Sequence, residues 1–237
     1  MSNAYFQFKR FRIEHDKCAM KVSTDACILG AWTPISEHAK NVLDIGTGTG
    51  LLALMLAQRN RGISIDAIEL DSSAAGQAME NTVSSPYSSR INVIQDDVLS
   101  FDFQKKYDLI VCNPPFFQNS LQSPDKARNI ARHTVSLAHA QLVNTFDKLL
   151  FLNGHASVLL PFSALDEWKK LLSDKGYCII RQLNIAPRAN ATQNRVVTLI
   201  TKSPTKVSET ENMFIYDFDN GYSKEAISLL GPFYLNL

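Results

Sequence analysis

Val42-Leu43-Asp44-Ile45-Gly46-Thr47-Gly48-Thr49-Gly50 runs from a short apolar stretch into three glycines at alternate positions, and leucine and alanine dominate the residues that follow, up to Arg59. The apolar stretch Asn41 to Ile45 reads as a buried strand, and Gly50 to Arg59 as a helix. Glycine between them permits a tight turn and a close approach of the backbone to a ligand. Strand, glycine turn and helix together are the opening unit of an open α/β sheet, which binds ligands outside the carboxyl ends of its strands.

Working outward, the same alternation continues. Strands are expected over Ile63 to Ile68, Ile91 to Gln95, Asp108 to Cys112 and Ala156 to Leu160. Helices are expected over Ser72 to Asn81, Leu137 to Leu150 and Leu165 to Lys175. Two β-rich runs close the series, Cys178 to Ile185 and Val196 to Thr201, joined by a loop with no room for a crossover helix. The last strand is therefore expected to run antiparallel. The fold class is α/β, a Rossmann-like sheet of seven mostly parallel strands with helices on both faces and an antiparallel final strand. The expected organisation is one domain over 1–237: an N-terminal addition at 1–40, a core at 41–202 and a C-terminal tail at 203–237.

Composition limits the classes available. The chain has 237 residues, 45% hydrophobic and 20% charged, which is ordinary globular usage and excludes wholesale disorder. No run of about 18 apolar residues is present, so no membrane helix is expected, and the start of the chain lacks the apolar core of a signal peptide. Cys18, Cys27, Cys112 and Cys178 form no C-x-x-C pair and read as reduced thiols of a cytoplasmic protein. His15, His38, His133, His139 and His155 show no metal-ligand spacing, so no metal is expected. The net charge is +1, yet the basic residues gather between Lys169 and Lys206, and the sign reverses after Val207. A near-neutral protein can still present a local basic face to nucleic acid.

The glycine loop carries more than a turn. Leu51 stands where the dinucleotide fingerprint G-x-G-x-x-G requires Gly or Ala, and Asp44 aims an acid at the ligand where a pyrophosphate would be repelled. Both features oppose a nicotinamide dinucleotide and suit a ligand with a cationic amino-acid end. Glu69 ends the second strand, where a carboxylate can accept from both ribose hydroxyls. Asp97, with Asp96 beside it, ends the third, where an acid can accept from an adenine amino group between the apolar Val98 and Leu99. The set Asp44, Gly46, Thr47, Gly48, Gly50, Glu69 and Asp97 resembles the cofactor site of the class I S-adenosyl-L-methionine (SAM)-dependent methyltransferases, over roughly Val42 to Leu160.

The fourth strand leads directly into Asn113-Pro114-Pro115-Phe116. Two prolines remove two backbone donors and stiffen the loop. The Asn113 side-chain oxygen and the Pro114 carbonyl are left as fixed acceptors, and two acceptors suit a planar amino group with two hydrogens to give. Accepting both draws the nitrogen toward tetrahedral geometry and frees its lone pair for attack on a methyl sulfonium; positioning and electrostatics do the work. Phe116 can stack on the ring that bears the amine. This tetrapeptide, after the fourth strand, resembles the signature of the methyltransferases that act on adenine, cytosine or guanine amines or on a glutamine amide.

Three further blocks narrow the resemblance. They are Phe8 to Phe11 with His15 to Trp32, then Arg128 to His133, then Tyr222-Ser223 with Phe233 to Leu235. Together with the core motifs they resemble, across nearly the whole chain, the family that methylates the 6-amino group of adenine beside the anticodon of a valine tRNA. The resemblance implies that Lys21, Thr24 and Asp25 border the methionine end of SAM. It also implies a tRNA partner whose target base leaves its stack, with Arg128, Arg132, His133, Arg188 and Arg195 holding flanking phosphates. No membrane and no obligate protein partner are implied. Alternatives keep the chemistry but change the target to a ribosomal RNA guanine or a release-factor glutamine. A binding module with a dead site is a further one, against which the intact Asn113 motif stands.

Overall fold

The structure, a computed structural model, describes residues 4–18, 20–114, 139–203 and 208–237. A hairpin of β1 (Tyr5–Gln7) and β2 (Arg12–Glu14) precedes helix α1 (Thr24–Trp32). The central unit follows: β3 (Asn41–Ile45), α2 (Leu51–Arg59), β4 (Ser64–Glu69), α3 (Ser72–Val83), β5 (Ile91–Gln95) and β6 (Tyr107–Cys112). Helix α4 is described over 139–149, then β7 (Leu150–Pro161), α5 (Leu165–Asp174), β8 (Cys178–Arg188), β9 (Arg195–Thr201), β10 (Glu209–Tyr216) and α6 (Lys224–Leu230).

One sheet of eight strands runs in the order β10-β8-β9-β7-β6-β3-β4-β5. β9 is antiparallel to both its neighbours, and every other pairing is parallel. The antiparallel strand is thus found where the short β8–β9 loop requires it. The count differs from the expected seven, because the acidic segment after Thr205 adds β10 at the sheet edge, parallel to β8. The antiparallel strand is therefore neither the last in sequence nor at the edge. Only the second half of β10 alternates buried and half-buried positions, so its pattern is short. Its acids are accounted for by β8: Arg181 pairs with Glu211 at 2.6 Å and with Glu209 at 3.6 Å.

Side chains leave each strand alternately toward two apolar layers. Val42, Leu109, Val111, Val197 and Leu199 enter the layer shared with α1, α2 and α6. Leu43, Ile110, Cys112, Val196 and Ile200 enter the layer shared with α4 and α5. Central β3 is buried from Val42 to Ile45 because helices cover both faces. The N-terminal aromatics pack inward: Phe8, Phe11 and Ile13 belong to the first layer, and Phe8 forms a bridge with Tyr234. α1 begins at Ser23, whose hydroxyl accepts from the Ala26 N–H, and lies close on α2 through Gly30.

All four cysteines are free thiols, with Cys27 and Cys112 buried. Among the described residues no helix is long and apolar enough to cross a membrane.

Candidate active site

The glycine turn sits at the carboxyl end of β3 and places Gly46, Gly48 and Gly50 at φ of 67°, 55° and 82°. Side chains with a Cβ rarely adopt such values, which accounts for glycine at each of the three. Gly46 and Thr47 donate their N–H groups to the Ile68 carbonyl, so the turn is anchored to β4. Asp44 is fully buried beneath it. Its Oδ2 accepts from the Thr47 hydroxyl at 2.6 Å and from the Ala53 N–H at 3.2 Å, while Oδ1 has no partner among the described residues. Burial pushes this carboxyl up to about 7, against the pull of those two hydrogen bonds.

Glu69 closes β4. It accepts from the Gly48 N–H at 2.9 Å and the Asp71 N–H at 3.0 Å, which fixes the carboxylate at the cleft edge. Asp96 and Asp97 follow β5, and Asp97 Oδ1 accepts from the Leu99 N–H at 2.9 Å. The turn so formed holds Val98 and Leu99 at the opening. Leu70 and Leu99 stay 68% and 45% exposed although large and apolar, which suits a flat ring set between them.

These groups meet in a cleft of about 460 Å³ at the carboxyl ends of β3, β4, β5, β6 and β7. Gly46, Glu69, Asp97 and Pro114 line it, as do Asp96 and Cys112. Asn113 stands between Cys112 and Pro114; its side-chain oxygen is buried and has no partner among the described residues. Two buried oxygens without a partner among the described residues, on Asp44 and Asn113, thus belong to residues adjoining the cleft-lining Ile45 and Pro114. A buried acceptor without a partner costs roughly 1–3 kcal/mol, so either oxygen is suited to a donor from a ligand. A ligand with a cationic amino-acid end, a ribose and a flat ring fits this donor and acceptor set.

Other expected residues fall elsewhere. Lys21 is exposed, and the Thr24 side chain shares hydrogen bonds with the phenols of Tyr222 and Tyr234. Asp25 pairs with Arg195 at 3.3 Å, and burial still raises its carboxyl above the usual range despite that partner. None of Lys21, Thr24 and Asp25 lines the cleft as described. Arg195, expected to hold RNA, is therefore engaged by an acid, whereas Arg188 ends β8 exposed. Pro115, Phe116, Arg128, Arg132 and His133 lie outside the described residues. The sequence reading did not single out Leu70, His139, Gln141, Thr145 and Pro161, which also line the cleft. No motif marks them: His139, Gln141 and Thr145 share α4, while Leu70 and Pro161 come from the ends of β4 and β7.

A sheet of this order carrying a glycine turn and an acid-edged cleft is the frame of a SAM-dependent methyltransferase, and the methyltransferase small-domain family model matches residues 29–153. Solved structures agree on the fold. A predicted O-methyltransferase from Agrobacterium tumefaciens superposes with a TM-score of 0.69 at 15% identity, covering 88% of this chain and 96% of that one. A glycopeptide N-methyltransferase complexed with SAM gives 0.57 at 15% identity, over 78% and 96%. Sequence relatives are nearer. A tRNA1(Val) (adenine(37)-N6)-methyltransferase of Bacteroides fragilis is 44% identical over the full length of both chains. Those of Parabacteroides distasonis, at 40% over both full lengths, and Tolumonas auensis, at 41% over 100% of this chain and 99% of that one, bear the same name. The chain belongs to the tRNA1(Val) (adenine(37)-N6)-methyltransferase family.

Proposed function

We propose that this chain, acting as one unit over 1–237, transfers a methyl group from SAM to the 6-amino group of adenine 37 in tRNA1(Val). The observation that carries the proposal is the buried Asn113 oxygen, without a partner among the described residues, next to the cleft-lining Pro114. In this reading Gly46, Thr47, Gly48 and Gly50 bring the backbone against the cofactor. Asp44 faces its cationic end, Glu69 takes the ribose hydroxyls, and Asp97 takes the adenine amine between Leu70 and Leu99. Lys21, Thr24 and Asp25 stand at the border of that site. When bound, SAM supplies an activated methyl group on a sulfonium.

Asn113 Oδ1 and the Pro114 carbonyl accept the two hydrogens of the target amine. That holds the nitrogen pyramidal and localises its lone pair, which ring conjugation otherwise spreads. One N–H proton leaves after transfer, so no strong base is needed beforehand. The cleft's apolar walls exclude water and strengthen both hydrogen bonds. Pro115 stiffens the loop, and Phe116 stacks on the extruded base. Arg128, Arg132, His133 and Arg188 hold the flanking phosphates, a cytoplasmic encounter with RNA that involves no membrane, metal or second protein.

The test is transfer of labelled methyl from SAM to unmodified tRNA1(Val), ribosomal RNA and release factor in parallel, with the product identified by mass. The expected product is N(6)-methyladenosine at position 37 of the tRNA. Label on guanine or on glutamine would retain the Asn113 chemistry and discard the target.

A further inference from the structure

We infer that His139 determines specificity: its imidazole N–H donates to the bare ring nitrogen N1 next to the target amine, so the site selects a ring with an acceptor at that position. The inference rests on the adenine-methylating reading above. His139 opens the described part of α4 and is 6% exposed. It lines the same cleft as Pro114 from the end of β6 and Pro161 from the end of β7. Three elements therefore converge where the target amine is to be held.

The ring is fixed before any substrate arrives. It meets Trp168 edge-on, with centroids 5.5 Å apart and an interplanar angle of 68°. Trp168 is fully buried and is itself anchored, its indole N–H donating to the Thr198 hydroxyl at 3.1 Å. Burial holds the imidazole below its usual pKa, with only Glu167 pulling back, so the ring is neutral at pH 7 and offers one donor and one acceptor.

In this inference three groups meet one edge of the ring. Asn113 Oδ1 and the Pro114 carbonyl present two acceptors to the two amine hydrogens, and His139 presents a donor to the adjoining ring nitrogen. Adenine offers two donors and an acceptor in that order. A glutamine amide has no ring nitrogen to take the third bond, and an adenine already substituted at N1 has lost the acceptor.

The experiment uses tRNA assembled by ligation with adenosine, 1-deazaadenosine or 7-deazaadenosine at the target position, and the enzyme as wild type, His139→Gln and His139→Leu. Initial transfer rates at low RNA concentration give kcat/KM; SAM affinity and thermal unfolding are followed for each variant. We expect removal of N1 to cost the wild type about tenfold, the scale of one hydrogen bond to a buried donor. His139→Leu loses a comparable factor on ordinary adenosine and nothing further on the 1-deaza substrate. His139→Gln, which keeps an N–H donor, recovers part of the loss, and SAM affinity stays constant. Equal 1-deaza penalties in the wild type and His139→Leu would overturn the inference alone. So would a penalty that disappears in His139→Leu only for the 7-deaza substrate, or a loss of SAM affinity in that variant. A wild type that leaves ordinary adenosine unmethylated overturns the functional reading and takes this inference with it.

Discussion

Asp44, buried beneath the glycine turn, couples its protonation to the stability of the fold. Its pKa of about 7 in the fold stands well above the ordinary value near 3.9 of an unfolded chain. Between those limits the folded protein binds the extra proton, so its stability falls as pH rises from about 4 to about 7 and is level above. Asp44→Asn removes that fall without emptying the cavity, because the amide is nearly isosteric. Urea unfolding of the ligand-free protein across this range checks it: the pH slope becomes shallower in the variant, and an unchanged slope contradicts the assignment. Asp44, Glu69 and Asn113 were legible as candidates in the sequence, since each lies at or beside the carboxyl end of a strand that the apolar pattern defines. His139 was not. A lone histidine in a helix offers no signal until the ends of β6 and β7 are seen to line the same cleft.

Elements position these residues through close contacts. α1 can lie on α2 only because Gly30 has no side chain: a Cβ there would stand 2.9 Å from Met55 Sδ, 3.2 Å from Met55 Cβ and 3.3 Å from Leu52 Cδ2. Gly30→Val overfills this contact and costs about 1–3 kcal/mol. A fall in Tm is the expected result, and an unchanged Tm would mean that the helices separate freely. The strands of the central unit were readable because a strand covered on both faces is a continuous apolar run, as in Val42 to Ile45. β10 was not, because an edge strand pairs on one side only. Its Glu209 and Glu211 have meaning once Arg181, distant in sequence, is set beside them. Thr24 likewise received its role from resemblance. The phenols it engages come from the other end of the chain.

At the scale of the whole molecule, charge is partitioned rather than massed. The basic run between Lys169 and Lys206 allowed a local basic face, and within it Arg181 is paired with β10, Lys202 with Asp147 and Arg195 with Asp25. Arg188 remains exposed at the end of β8. If tRNA crosses this edge, Arg188→Ala lowers the slope of log affinity against log salt by about 1, while Arg195→Ala changes it less. Fluorescence titration of tRNA over a salt series distinguishes them, and equal slopes in all three proteins would place the RNA on another surface.

The central claim is that the Asn113 oxygen exists to receive the target amine and has no part in holding the cofactor. Single-turnover transfer to tRNA1(Val) by Asn113→Ala, with SAM affinity measured on the same protein, tests it most directly. The expected result is a loss of about a hundredfold or more in the transfer rate, the scale of one removed catalytic hydrogen-bonding group, with SAM affinity nearly unaltered. Retained turnover, or a loss that follows weakened SAM binding, would contradict it.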